Sequence, residues 1–155
     1  MQGDDATADS RRDRHMTARD PVLLYDGLCG FCDRTVQFVL ARDPDGPMRF
    51  ATLQGEFAAS VLRDRPALRD IDSLILIEPS GDDSAPMIRT RSDAAIALGR
   101  YIGGGWSVIA RLARLAPAPL RDAAYDLFAR HRHRFFRRLA SCRMSTSSTV
   151  HRFID

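Results

Sequence analysis

The sequence predicts an α/β fold, a βαβαββα core followed by a C-terminal helical extension. Three observations predict it. Short apolar runs of strand length recur four times before residue 91. Stretches with apolar residues at helical spacing lie between the first three runs and after the fourth. Clusters of Gly, Pro, Asp and Ser, such as Asp43-Pro44-Asp45-Gly46-Pro47, punctuate the alternation.

Val22-Leu23-Leu24-Tyr25 reads as a buried strand closed by the turn pair Asp26-Gly27. From Cys29 onward, Cys32, Val36, Val39 and Leu40 fall on one face of a helix that ends at Asp43-Pro44. Residues 48–53 read as a second strand and residues 57–62 as a short helix before a break near Pro66. Ser73-Leu74-Ile75-Leu76-Ile77 is continuously apolar from Leu74, as expected of a central strand buried on both faces. Pro79-Ser80-Gly81-Asp82-Asp83 supplies a turn, and residues 87–90 return antiparallel. Ser92 or Asp93 then caps a helix whose Ala95, Leu98, Gly99 and Ile102 share a face.

Beyond Gly103-Gly104-Gly105, residues 106–115 and 120–139 read as two more helices. Leu120, Ala123, Ala124, Leu127, Phe128, His131 and Phe135 form an apolar stripe on the second, with Arg130, Arg132, Arg134, Arg137 and Arg138 around it. The tail from Ser141 is polar and short. The chain thus divides into a disordered tail (1–20), a core (21–102) and a basic helical extension packed on it (103–155). Met16, just ahead of the first apolar run, is an alternative start.

A length of 155 residues suits one domain with a sizeable core. With 45% hydrophobic and 28% charged residues, the chain is neither disordered throughout nor a disulfide-stapled miniprotein. No stretch approaches the roughly 20 apolar residues of a membrane span, and the first 20 residues lack an apolar signal segment. A cytoplasmic location is the expectation. All 23 basic residues are arginine, and the charge is uneven, about −5 over residues 1–99 and +8 over 100–155. Such a basic third suits an acidic partner or a membrane surface, although arginine substituting for lysine through genomic composition explains the same count. No nucleic-acid partner is expected.

The chemistry is concentrated in Asp26-Gly27-Leu28-Cys29-Gly30-Phe31-Cys32, which sets two thiols three residues apart where a strand gives way to a helix. At a helix N-terminus, unpaired N–H groups and the positive dipole end favour thiolate. Cys29 is therefore the expected nucleophile, and the Gly-rich turn before the helix is expected to leave it accessible. Cys32, one turn in, is placed to resolve a mixed disulfide. The alternative is half of a zinc site completed by Cys142, His131, His133 or His151, but His131 and His133 are two residues apart on a helix and point in different directions. No metal and no bound cofactor is expected.

These segments, with Phe50-Ala51-Thr52-Leu53-Gln54-Gly55, Arg91-Ser92-Asp93-Ala94-Ala95 and Cys142-Arg143, resemble the DCC family from about Pro21 to Asp155. The resemblance implies a thiol-disulfide oxidoreductase with a thioredoxin-like fold, whose core order is the βαβαββα read above. It makes Asp26 the third residue of the family's motif, either taking the proton of Cys32 or capping the turn. Thioredoxins carry a cis-proline before the central-sheet strand, whereas Asp72 and Ser73 stand there in this chain and become the candidate substrate loop. An acidic Asp72 near Cys29 would oppose the thiolate that the helix end favours. Cys142 aligns with a family cysteine and reads as packed under the last helix rather than as a third redox thiol.

The expected function is reduction of a protein or small-molecule disulfide by the Cys29–Cys32 pair, Cys29 attacking and Cys32 resolving. A binding module working through the basic helices, and a zinc protein, are the competing readings.

Overall fold

A computed structural model describes residues 20–69, 71, 73–80, 85–136 and 149–154. Strands β1 (Val22–Tyr25), β2 (Arg49–Thr52), β3 (Ile75–Glu78) and β4 (Met87–Thr90) form one sheet in the order β2-β1-β3-β4. β1 and β2 run parallel, with Tyr25 opposite Thr52, and β3 is antiparallel to both of its neighbours. Among the described residues there are six α-helices: α1 (Gly30–Arg42), α2 (Glu56–Val61), α3 (Pro66–Arg69), α4 (Arg91–Ile102), α5 (Gly104–Ala113) and α6 (Ala118–Phe135). The order of elements and the mixed sheet are those of a thioredoxin-like α/β fold.

The sheet is buried on both faces, and strand alternation assigns each residue to one of them. Leu23, Tyr25, Phe50 and Leu76 pack against Cys32, Val36 and Val39 of α1 and Ala94 and Leu98 of α4. Val22, Leu24, Ala51, Ile75 and Ile77 face the other way, toward Ala58 and Leu62 at α2 and Leu68 on α3. This explains why β1 and β3 are continuous apolar runs rather than alternating ones. Both become central strands.

The elements depart from expectation at their ends. Pro66 opens α3 instead of ending a helix, which suits a residue that has no N–H to satisfy in a first turn. Of the three consecutive glycines only Gly103 lies outside a helix, and its φ of 75° turns the chain between α4 and α5. α4 is not capped by Ser92 or Asp93. It starts at Arg91 directly from β4, with Thr90 as N-cap and no side-chain cap bond. Arg91 takes φ 52°, a left-handed conformation that costs a non-glycine residue about 1–2 kcal/mol. On α6 most of the expected apolar stripe faces outward, with Leu120, Leu127 and Phe135 60% or more exposed, while Phe128 packs on Phe31. The inward residues are Arg121, Asp122, Tyr125 and Arg132, so polar contacts rather than apolar periodicity orient this helix.

The end of α1 is secured from three directions. Asp43, its C-cap, accepts a hydrogen bond from the Tyr101 hydroxyl at 2.5 Å, tying α4 to α1. Burial, with that acceptor, pushes the Tyr101 phenol up to about 12. A Cβ at Gly46 would collide with the Asp43 carboxylate, so this close approach requires glycine. Residues 149–154 are not a loose polar tail. Phe153 bridges Phe50 in parallel, Ile154 N donates to the Phe50 carbonyl at 2.9 Å, and the chain end thereby continues the sheet beyond β2.

Arg152 is fully buried there. Its guanidinium donates to the carbonyls of Asp43, Pro44 and Met48 and lies 5.2 Å from the Phe50 ring centroid. Arg152→Ala leaves these carbonyls without that donor, and the expected loss is about 2–4 kcal/mol in denaturant unfolding. An unchanged midpoint contradicts the docking of the chain end.

Candidate active site

The step from β1 into α1 is built by a short turn held from its neighbour strand. The Asp26 carbonyl accepts from Cys29 N at 3.1 Å. Asp26 Oδ1 accepts from Leu28 N at 3.0 Å and from Gln54 Nε2 at 2.9 Å, while Gln54 Oε1 accepts from Gly27 N at 3.3 Å. Because β1 and β2 are parallel and end side by side, the residue groups following them are neighbours, and Gln54 locks the turn. The Asp26 carboxylate thus caps the turn, the second of its two expected roles.

Cys29 is the N-cap of α1. Its sulfur accepts from Cys32 N at 3.4 Å, the place a Ser or Asp oxygen commonly fills, and its carbonyl accepts from Asp33 N at 3.0 Å. Both cysteines are free thiols, and both are buried, Cys29 at 0% and Cys32 at 1% exposure. The sequence suggested an accessible Cys29. The difference comes from α6, which docks over the first turn of α1 through Phe31, whose ring meets Phe128 at 4.8 Å and Phe136 at 5.2 Å edge-on. From the same helix comes Arg132, 1% exposed, whose positive charge acts on both thiols.

The two thiols are pushed apart in acidity. A hydrogen bond from the Cys32 side chain is the main cause that lowers Cys29 to about 6, against the opposing effect of burial; the Cys32 amide, Arg132 and the Phe31 amide add to the lowering. Cys32 is pushed far up, first by that same hydrogen bond, then by burial and by the negative charge on Cys29. The pair therefore holds one proton between two sulfurs, with the charge on Cys29. Tyr125, also from α6, is raised above the usual phenol range by burial, and hydrogen bonding to the Leu74 backbone and the Ser73 side chain works the other way.

Arg91, Ser92 and Asp93 hold α6 in place. Arg91 Nε lies 3.7 Å from Asp126, Ser92 Oγ donates to the Asp122 carboxylate, and Asp93 pairs with Arg121 at 3.2 Å. Three consecutive residues at the strained start of α4 thus grip three positions within six on α6. Tyr125, inside that grip, reaches Ser73 and Leu74. Arg132, two turns on, reaches the thiols.

A family model described as DCC1-like thiol-disulfide oxidoreductase matches residues 23–138. The chain belongs to this family. It is 35% identical over 134 residues to the uncharacterized protein YuxK of Bacillus subtilis, covering 86% of this chain and 93% of that one. It is also 32% identical over 125 residues to a chloroplastic DCC family protein of Arabidopsis thaliana, covering 80% and 69% respectively. No solved structure matches the chain.

Of the expected site residues, Cys29, Cys32 and Asp26 lie at the step from β1 into α1, and Ser73 lies at the approach to β3. Asp72, the other residue of the expected substrate loop, and Cys142 lie outside the described residues, as do residues 1–19. Among the described residues no three His, Cys, Asp or Glu side chains cluster as metal ligands, and no helix is long and apolar enough to cross a membrane. His131 and His151 are exposed, the former donating from Nδ1 to the Leu127 carbonyl at 2.8 Å.

Gln54, Tyr125 and Arg132 are the site residues that sequence reasoning missed. The parallel pairing of β1 and β2 was the available signal for Gln54. Arg132 carried none, being one arginine in a row of them.

Thiolate absorbance near 240 nm checks the electrostatics. As pH rises through about 6, one thiolate is expected to appear in the reduced protein, absent from Cys29→Ser. Removing the main cause, in Cys32→Ala, is expected to move the midpoint upward by more than Arg132→Met does. A midpoint near the ordinary thiol value in the native chain contradicts the arrangement.

Proposed function

We propose that the chain reduces protein disulfides through its Cys29–Cys32 pair. The observation that carries this reading is the placement of two free thiols one turn apart at the head of α1, with the Cys29 sulfur accepting from the Cys32 amide at 3.4 Å. Cys29 thiolate attacks a substrate sulfur, forming a mixed disulfide and releasing the first substrate thiolate, which takes up a proton. Cys29 is then neutral, so its hydrogen bond to Cys32 and its negative charge, two of the three causes holding Cys32 protonated, disappear. Cys32 yields its proton to the departing sulfur and attacks Cys29, leaving a Cys29–Cys32 disulfide and the second substrate thiol. Two thiols are oxidised and one disulfide is reduced.

Arg132 and the Asp26 backbone favour the Cys32 thiolate during the second step, and Asp26 with Gln54 keeps the turn rigid. Burial of Cys29 means that exchange follows a local opening. The two ion pairs between α4 and α6 are partly exposed and individually worth about 1 kcal/mol or less, which makes α6 the element that yields.

Direction follows from acidity. A nucleophile near 6 lies between thioredoxin's, about 7, and that of the oxidant DsbA, about 3.5. A more stable thiolate favours the reduced form, which sets the expected potential between about −270 and about −120 mV. In surroundings held at a cytosolic glutathione poise of about −220 to −320 mV, the pair stands reduced for the most part and works as a reductase.

Mutants separate the two roles. Cys29→Ser is expected to lose reduction of an insulin-type protein disulfide down to the uncatalysed rate. Cys32→Ser is expected to accumulate a mixed disulfide on Cys29, visible by mass spectrometry without reductant. Undiminished turnover by Cys29→Ser contradicts the assignment.

A further inference from the structure

An apolar cleft of about 420 Å³ opens along α1 from Phe31, bounded by α1, α4, the start of α5 and the end of α6. Phe31, the residue between the two cysteine positions and next to Cys32, is part of its wall, with Phe38, Leu74, Trp106, Tyr125 and Phe136. Five of these six are aromatic. From Phe31 to Phe38 the cleft follows α1 for roughly 10 Å. Its one charged lining residue is Arg34, exposed, with its guanidinium 5.3 Å from the Phe136 ring centroid.

We propose that this cleft is the substrate subsite, taking a bulky apolar side chain that flanks the cysteine of a polypeptide disulfide. The proposal rests on the thiol-exchange reading above and leaves its chemistry unchanged: the chain's two thiols become a disulfide as the peptide disulfide becomes two thiols. Two of the walls belong to the exchange site itself. Phe31 adjoins Cys32 in sequence, and Tyr125 meets Leu74 and the Ser73 hydroxyl. An occupant of the cleft therefore touches the residue next to Cys32 and the tyrosine that meets the approach to β3. A polar disulfide such as that of glutathione brings amides and carboxylates that aromatic walls and a single exposed cation leave without partners. A Phe or Leu side chain needs none. Because Phe136 at the end of α6 and Phe31 on α1 line the cleft together, an entering side chain also bears on the contact that keeps α6 over the thiols.

Two disulfide-linked peptides, identical except for Phe or Ser beside the cysteine, test the subsite. The reduced chain is expected to reduce the Phe peptide about 10- to 100-fold faster, the factor that burial of one large apolar side chain supports. Ala95 lines the cleft and is exposed, so Ala95→Phe fills it from the rim and is expected to bring the ratio near one. Equal rates for the two peptides in the native chain, or an unchanged ratio in Ala95→Phe, overturn the proposal. Trp106, the single tryptophan, provides a readout free of redox chemistry. Titrating Cys29→Ser with the same peptides carrying Ser for Cys is expected to give a saturable emission change with the Phe peptide and none with the Ser peptide. A response to the Phe peptide without reduction of either disulfide supports the cleft and overturns the exchange reading. Exchange that proceeds without preference does the reverse.

Discussion

The juxtaposition of the Cys29 and Cys32 thiols at the head of α1, where the Cys29 sulfur accepts from the Cys32 amide, is the contact from which the site's behaviour follows. It lowers one thiol and raises the other, so the first negative charge settles on Cys29. Its geometry depends on the head of α1. Cys29 must be the N-cap, so that its sulfur meets the Cys32 amide, and Cys32 must stand one turn in. Both requirements trace to the four-residue connection that Asp26 and Gln54 brace from parallel strands.

Burial opposes this charge, and the fold supplies compensation from a distant part of the chain. Arg132 arrives from α6, whose inward face is charged and whose outward face is apolar, the reverse of an ordinary surface helix. Packing alone does not hold a helix in that orientation. The paired contacts of Arg91, Ser92 and Asp93 with Asp126, Asp122 and Arg121, and the rings around Phe31, give it a defined seat. A guanidinium brought to a buried thiol pair in this way exchanges hydration for the thiolate's charge, and neither group would be stable there alone.

The sheet, α1 and the thiol pair were legible in the sequence because each has a local cause. Apolar runs mark β1 and β3, a 3–4 spacing of Cys32, Val36, Val39 and Leu40 marks α1, and Asp26-Gly27 marks the turn. What was not legible depends on contacts between residues far apart in sequence. Periodicity assigned the apolar stripe of α6 to the interior, and ion pairs with α4 turned most of it outward. Ser92 and Asp93 looked like caps because Ser and Asp usually are, yet their side chains were committed to α6. Arg152 looked like part of a polar tail, and three carbonyls at the end of α1 drew it inside. Exposure of Cys29 was judged from its turn alone, without the helix that covers it.

The most direct test of the account is the redox equilibrium of the pair. The protein is equilibrated in glutathione buffers of stepped ratio, quenched in acid, and its Cys29–Cys32 disulfide quantified by peptide mass spectrometry. The account predicts a single two-electron transition between about −270 and about −120 mV, with the disulfide confined to Cys29 and Cys32. A pair that stays as free thiols across that whole range, or a disulfide joining either residue to another partner instead, would contradict it.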